Sequence, residues 1–209
     1  MALFWSYIGE NWSYLLELTY QHIIMVALGL LLALVFGVPL GIIAAKNRAL
    51  GSVILTAANV IQVFPSLALL VLLMVVFGLG FKTVVVGLFL YSLLPMIRNT
   101  YVGLTQVDRS IMEAGRGVGM SPLQLLVKVQ LPLALPFLMT GIRVAAVIAI
   151  GVATIAPLIG GEGLGREIYA GINMDNQARL YAGAIPAALL ALLADFLLGR
   201  LQRRVRVGG

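Results

Sequence analysis

Long stretches without a charged side chain constrain the fold of this chain more than any other feature of its sequence. The first of them extends from Leu18 to Ala45, and several more follow. A hydrocarbon core about 30 Å thick needs about 20 apolar residues for each helical crossing. Only 11% of the 209 residues are charged, whereas soluble domains carry about 25%. We therefore predict an all-α integral membrane protein, because a helix satisfies every backbone hydrogen bond within its own segment.

Five predominantly apolar stretches are predicted to cross the membrane, at residues 18–45, 49–81, 83–104, 133–159 and 180–198. The last three each contain one charged residue, namely Arg98, Arg143 and Asp195. The second is too long for one upright crossing at about 1.5 Å per residue, yet too short for two crossings with a turn. We expect one helix there, with a break near Pro65 and a polar approach that consists of Ser52, Thr56, Asn59 and Gln62.

The basic residues predict the orientation, because cytoplasmic loops carry an excess of lysine and arginine. Ten basic residues fall on one side, namely Lys46, Arg48, Arg98, Arg109, Arg116, Lys128, Arg200, Arg203, Arg204 and Arg206. Three fall on the other side, namely Lys82, Arg166 and Arg179. We therefore expect the N-terminus outside the cell and the C-terminus in the cytoplasm.

The chain is predicted to form one membrane domain. Residues 1–17 form an aromatic-rich segment at the outer interface, residues 18–206 the transmembrane domain, and residues 207–209 a tail. The start lacks the basic n-region of a cleavable signal, so we expect the first hydrophobic segment to be retained. The absence of cysteine excludes disulfides, and a single histidine makes a metal site improbable. The net charge of +6 is spread over short loops, which argues against a nucleic-acid-binding face.

Residues 105–132 form the longest polar stretch and are predicted to be a cytoplasmic loop. Ser121 and Pro122 suit the N-cap and the first position of a short helix. The glycines before them, up to Gly119, allow a tight bend. We expect Pro132 to end the loop before the fourth span, which leaves two short helices across the membrane surface. The apolar face of the second is predicted to consist of Leu123, Leu126 and Val127.

The same loop contains the pattern Glu-Ala, four residues, Gly, nine residues, and then an aliphatic residue, any residue, Leu-Pro. This pattern resembles the EAA loop of binding-protein-dependent ABC importer permeases. The motif positions are occupied by Glu113, Ala114, Gly119, Val129, Leu131 and Pro132, and Gly115 replaces the usual second alanine. The resemblance implies that these seven residues couple the membrane domain to an ATPase. We expect Glu113 to have a structural or coupling role, with Arg116 as a candidate partner.

Further segments resemble permeases for osmoprotectants, the group that handles glycine betaine, choline and carnitine. They are residues 64–69, 93–104, 131–136, 141–143, 153–156 and 163–165, and the similarity extends from about residue 22 to residue 181. Glu162 departs from the small neutral residues of relatives, which leaves the exact solute open. The resemblance implies a MetI-like permease fold and ATP-driven solute uptake through a bacterial or archaeal cytoplasmic membrane.

The resemblance also implies an assembly, in which this chain is a transport subunit and not an enzyme. The expected partners are a second permease subunit, a pair of cytoplasmic ABC ATPases, an extracytoplasmic solute-binding protein and membrane lipid. ATP and magnesium are expected on the ATPase, with no cofactor on this chain. Two alternatives are an ABC permease for amino acids or methionine and a secondary carrier or channel. A carrier would need coupling charges at mid-membrane.

Several side chains are candidates for the translocation path, and the aromatic ones are chosen because aromatic faces attract quaternary ammonium groups. They are Phe64, Pro65, Ser66, Phe89, Tyr91 and Thr154. Charged residues within spans are also functional candidates. For Arg143 we favour an ion pair with Asp195 or extension to the cytoplasmic surface, and Arg200 is a nearby partner for Asp195. His22 is expected to be an ordinary interfacial residue at the outer end of the first span.

Overall fold

The computed structural model describes residues 2–205, and all of their regular secondary structure is helical. Arg206 and the predicted tail at residues 207–209 lie outside the described residues. The helices are α1 (Ala2–Glu10), α2 (Trp12–Lys46), α3 (Arg48–Val63), α4 (Ser66–Phe77), α5 (Phe81–Thr105), α6 (Arg109–Gly117), α7 (Pro122–Leu125), α8 (Leu131–Ala153), α9 (Gly165–Asn173) and α10 (Gln177–Val205). A π-helical turn at Leu126–Gln130 joins α7 to α8, and a 3₁₀ turn at Ala156–Ile159 follows α8.

Within residues 2–205, four helices are long and apolar enough to cross a membrane: α2, α5, the continuous helix Pro122–Ala153, and α10. The pair α3 and α4 meets the same test together and is bent by 100°, so it counts as a fifth crossing if the pair forms one span. The first long helix begins at Trp12, so the last residues of the predicted outer segment belong to it.

The predicted break near Pro65 is confirmed. Phe64 is extended, with φ −60° and ψ 135°, which is the conformation that a following proline favours. The break leaves the Phe64 carbonyl without a helical donor, and the Tyr91 hydroxyl of α5 donates a hydrogen bond to it. The bend between α3 and α4 is therefore held by α5.

Glycines bring α2 close to α5 between residues 29 and 41 of α2. A Cβ atom added at Gly29 would lie 2.7 Å from the Leu88 Cβ, and one added at Gly37 would lie 2.7 Å from the Met96 Cβ. Each glycine meets the residue 59 positions later in the chain (29 and 88, 37 and 96, 41 and 100). A constant offset means that the two helices run in the same direction. Small residues at such interfaces let membrane helices approach closely.

The other long helices alternate in direction. A Cβ at Gly103, near the end of α5, would lie 3.0 Å from the Ala134 Cβ, near the start of α8. Contacts between α8 and α10 also run in opposite directions along the chain. Arg143 pairs with Asp195, whereas Thr140, earlier in α8, bonds to Gln202, later in α10. Thus α8 is antiparallel to both neighbours. The start of α2 and the end of α10 consequently lie at opposite ends of the bundle.

The prediction that Pro132 ends the loop is wrong. The helix is continuous from Pro122 to Ala153, and Pro132 lies in the first turn of α8. The reason is the π-helical turn before it, in which the Leu131 N–H bonds to the Leu126 carbonyl five residues back. This wider turn accommodates a proline whose ring nitrogen has no proton to donate.

Candidate coupling loop and membrane path

The loop after α5 begins with a capped helix. Asp108 is the N-cap of α6, and one of its carboxylate oxygens accepts a hydrogen bond from the Ser110 N–H at 2.8 Å. This bond stabilises the carboxylate and lowers the pKa of Asp108. The first of the two predicted short helices is thus present, at Arg109–Gly117.

The second short helix begins where the sequence predicts it. The Ser121 Oγ accepts from the Gln124 N–H at 3.3 Å, and the Gln124 Oε1 accepts from the Ser121 N–H at 2.9 Å. These reciprocal bonds form a capping box, and Pro122 occupies the first turn. The predicted start of this helix is confirmed.

The bend between α6 and α7 depends on two glycines that do different things. Gly119 has φ +79°, a conformation that L-residues with side chains rarely adopt. Gly115 is buried, and a Cβ there would lie 2.5 Å from the Leu125 Cδ1. The position where the sequence departs from the usual alanine is therefore the contact point of the two short helices.

The predicted apolar face of the second helix is wrong in part. Leu126 is buried, with Leu125 beside it, but Leu123 is 67% exposed and Val127 is 53% exposed. The π-helical turn changes the angular position of the residues after Leu125, so that Leu126 packs against Leu104 and Ala134 of the bundle. Apolar side chains consequently remain exposed on the loop, where Val118, directly after α6, is 77% exposed as well.

The motif residues divide into an exposed group and a packed group. Glu113, Ala114 and Gly119 are exposed, as is Pro132. Val129 and Leu131 are partly buried, and Leu131 packs against the cluster formed by Leu104, Leu126 and Ala134. Within residues 2–205, no ion pair joins Glu113 to Arg116.

Four of the six path candidates lie together at the bend between α3 and α4. Phe64 is 43% exposed, Pro65 is exposed and Ser66 is partly buried at the start of α4. Tyr91 is only 5% exposed and holds the Phe64 carbonyl. Phe89 packs edge-on against Phe36 with ring centroids 5.7 Å apart. Thr154 lies after the end of α8, where its hydroxyl donates to the Gly151 carbonyl at 2.7 Å.

Two charged residues within the spans, Arg143 and Asp195, form an ion pair, which is one of the two arrangements expected for Arg143. Its guanidinium donates to both carboxylate oxygens of Asp195, with the Nη2–Oδ2 distance at 2.6 Å. Asp195 therefore pairs with α8 and not with Arg200, whose guanidinium lies 5.2 Å from the centre of the Phe196 ring. A neutralised pair of this kind provides no isolated charge for a coupling relay.

His22 is buried against α8, a contact that its neighbours in sequence did not predict. Its side chain is 0% exposed, and the Nε2 atom lies 3.2 Å from the Ile150 carbonyl oxygen of α8. That carbonyl lacks its usual helical donor, because the Thr154 N–H bonds to Gly151 at the frayed end of α8. A histidine that caps another helix cannot be recognised from its neighbours in sequence.

Sequence reasoning also missed a buried cluster on the predicted outer side. The Glu167 carboxylate of α9 is 0% exposed and accepts from the Arg179 guanidinium of α10 at 2.7 Å and 3.1 Å. The Tyr7 hydroxyl of α1 donates to the same carboxylate at 2.5 Å. Burial, together with the hydrogen bond to this carboxylate, raises the pKa of Tyr7 to about 12. The cluster joins α1, α9 and α10.

Comparison with known proteins gives consistent matches over nearly the whole chain. Residues 37–207 match the family described as "Binding-protein-dependent transport system inner membrane component". The glycine betaine/carnitine/choline transport system permease protein OpuCD of Bacillus subtilis is 46% identical over 95% of this chain and 87% of its own length. The choline transport system permease protein OpuBD of the same organism is 46% identical over 95% of this chain and 88% of its own. The osmoprotectant import permease protein OsmW of Salmonella typhimurium is 43% identical over 94% of each chain.

Solved structures match the fold. A chain of the MetNI methionine ABC transporter in an inward-facing conformation superposes with a TM-score of 0.82. It covers 92% of this chain and 96% of that chain at 23% sequence identity. An amino acid ABC transporter solved with histidines superposes with a TM-score of 0.74 at 18% identity, over 96% of this chain and 95% of that chain.

Proposed function

The chain belongs to the family of binding-protein-dependent transport system inner membrane components, and we propose that it is the permease subunit of an ATP-driven osmoprotectant importer. The solute is glycine betaine, choline, carnitine or a similar quaternary ammonium compound. The observation that carries this proposal is the 46% identity, over 95% of the chain, to a permease whose name states these three solutes.

The two alternatives have less support. The likeness to methionine and amino acid transporters is at 23% and 18% identity, where it extends to the fold alone. The osmoprotectant permeases are about twice as similar in sequence, which favours their solute class. A stand-alone carrier or channel disagrees with membership of a family that works with a binding protein, and Arg143 is neutralised by Asp195.

We propose five membrane crossings with the N-terminus outside. Because α2 and α5 run in the same direction, the intervening pair α3 and α4 has to return the chain to the side where α2 began. With α8 antiparallel to α5 and α10 antiparallel to α8, the total is odd. The excess of basic residues then favours the end of α10 and residues 105–132 as cytoplasmic.

The exposed part of the loop is proposed to contact the cytoplasmic ATPase. Glu113, Ala114 and Gly119 are exposed, and they lie among exposed apolar side chains such as Val118 and Leu123. Because the helix is continuous from Pro122 to Ala153, a displacement of the loop would move the fourth crossing as one body. In this proposal Gly115 sets the angle between α6 and α7, while Val129, Leu131 and Pro132 join the loop to the bundle.

The rest of the assembly follows from this role. A homologous or identical second permease subunit completes the path, two ATPase subunits bind ATP and magnesium in the cytoplasm, and a binding protein delivers solute from outside. The chain itself transports and does not catalyse, and no cofactor is assigned to it. Phe64, Pro65, Ser66, Phe89, Tyr91 and Thr154 stay our predictions for the path.

The test compares solute uptake by the complete transporter with Gly119→Val and Gly119→Asn. A β-branched residue at φ +79° is strongly strained, whereas asparagine tolerates the left-handed conformation. We expect Gly119→Val to lose both uptake of labelled glycine betaine or choline and co-purification of the ATPase, with Gly119→Asn close to wild type at equal membrane amounts. Uptake that persists after the ATPase has detached would refute the importer assignment.

A further inference from the structure

Helix α3 packs on the bundle through one face only. Gly51 is buried on α2, where an added Cβ would lie 2.5 Å from the Ala44 carbonyl oxygen. Ala58 is buried in a cluster with Leu94 and Ile97 of α5. Both contacts use small residues, so the helix lies close to its neighbours on this side.

The exposed side of α3 carries a polar stripe, which we define as Ser52, Thr56 and Asn59. All three side chains are exposed. With 3.6 residues per turn, they fall within an arc of roughly 60°. Val63 continues the same line to the bend and is 82% exposed. The stripe contains hydroxyl and amide groups and no charge.

Within the described residues, the side chains of the stripe make no hydrogen bond, in contrast to the other threonines of the chain. The hydroxyls of Thr19 and Thr100, for example, donate to the carbonyls four residues earlier. All six threonines other than Thr56 donate to a backbone carbonyl in this way or a similar one. Within residues 2–205, no hydrogen bond is made by the side chains of Ser52, Thr56 or Asn59. Such groups are costly against lipid and need water or a polar partner.

The stripe leads to the aromatic residue at the bend. Phe64 is 43% exposed, and its carbonyl is already occupied by the Tyr91 hydroxyl. The backbone polarity created by the break is thus satisfied, and the ring of Phe64 is available to a passing ligand. An aromatic face attracts a quaternary ammonium group, and neutral hydroxyl and amide groups bind a carboxylate or hydroxyl group weakly. Weak sites suit passage, because a solute has to leave as readily as it enters.

Building on the proposed function, we propose that Ser52, Thr56 and Asn59 line the water-filled route of the quaternary ammonium solute through the permease pair. The stripe supplies weak, neutral hydrogen-bonding groups along the cytoplasmic part of this route, and Phe64 supplies an aromatic face at the bend. Lipid is the poorer occupant, because it would leave three polar groups without partners.

The chain contains no cysteine, so single cysteines can report directly on water access. We would introduce Ser52→Cys, Thr56→Cys and Asn59→Cys separately into the complete transporter in proteoliposomes, with partner subunits free of reactive thiols. Matched controls are Val53→Cys and Val75→Cys, at positions that are 67% and 78% exposed but apolar. The probe is a membrane-impermeant methanethiosulfonate with a trimethylammonium group, and a lipid-soluble maleimide shows that each cysteine is present.

We expect the charged reagent to modify the stripe variants and to remove most of their uptake, with glycine betaine slowing the modification. The two valine controls are expected to react with the maleimide only. Ser52→Cys is nearly isosteric, so it keeps the test valid if a larger change prevents assembly. The amount of each variant in the membrane shows whether that variant assembles.

The outcomes separate this inference from the proposed function. If the unmodified transporter takes up neither glycine betaine nor choline, the proposed function fails. If uptake is normal and the stripe cysteines are unreactive with and without ATP, or react without loss of uptake, the stripe does not line the route. Disulfides that form between two copies while uptake stays normal would place the stripe in a subunit contact and would also overturn the inference.

Discussion

Removing Arg179 provides the sharpest test of the buried cluster that joins α1, α9 and α10. In Arg179→Gln, the fully buried Glu167 carboxylate would lose its ionic partner and keep only the Tyr7 hydroxyl. Breaking a buried ion pair by removing one partner costs about 3–5 kcal/mol. Because 23% of the Arg179 side chain is exposed, we take the lower end, about 3 kcal/mol. For 150–250 residues each kcal/mol corresponds to about 2–4 °C, so we expect Tm to fall by roughly 6–12 °C.

The measurement is thermal unfolding of the purified transporter in detergent. Arg166→Gln is the matched control, because it breaks a pair with Glu162 whose side chains are 53% and 44% exposed. Exposed pairs contribute about 0–1 kcal/mol, so this control should melt close to wild type. The double variant Glu167→Gln with Arg179→Gln should recover part of the loss, because it removes the uncompensated charge. Equal shifts for the two arginine variants, or no recovery in the double variant, would refute the reasoning.

Three further predictions concern the outer cluster, the helix packing and the loop. The raised pKa of Tyr7 means that its neutral form is stabilised by folding, so its contribution is complete below pH 10 and is lost as the pH rises through about 12. As the pH rises from 10 to 12, the melting temperature of Tyr7→Phe should therefore fall less steeply than that of the wild type. An equally steep fall for both proteins would contradict this prediction. Gly37→Leu should lower the free energy of unfolding by at least about 1–3 kcal/mol, because the new side chain would overpack against α5. Gly151→Leu should leave it nearly unchanged, because an added Cβ there has no atom within 4 Å. Equal melting temperatures and equal membrane amounts for Gly37→Leu and Gly151→Leu would contradict this prediction. Ser121→Ala should cost about 0.5–2 kcal/mol locally and speed amide hydrogen exchange in α7, and unchanged exchange would count against the cap.

The stripe on α3 and the bend beside it show which features of the proposed path can be predicted from sequence and which need the structure. The polar residues and the proline are visible in the sequence, and both lie where they were predicted. Which way they face was not predictable, because it depends on Gly51 and Ala58 packing against α2 and α5. The stripe became a candidate only when its side chains proved to be exposed and without internal partners.

The loop at residues 105–132 likewise has features that could be predicted from sequence and features that could not. The capping box at Ser121 and the bend at Gly119 were predictable, because each depends on the stereochemistry of a few neighbouring residues. The continuity of the helix through Pro132 was not, since it depends on the π-helical turn that buries Leu126 against Leu104 and Ala134. The role of Gly115 as a contact with Leu125 likewise needs both helices in place.

The sequence by itself determined that this chain is a membrane protein with several long apolar helices, and which family it resembles. These properties follow from local composition, because a bilayer demands long apolar helices wherever a chain crosses it. For Arg143, the tertiary structure selected the ion pair with Asp195 from the two arrangements that the sequence left open. Only the tertiary structure showed that His22 is buried against Ile150 and that Glu167 contacts Arg179 and Tyr7. Most of these contacts join residues from distant parts of the chain, and they exist because a polar group removed from water needs a partner from whichever helix packs beside it.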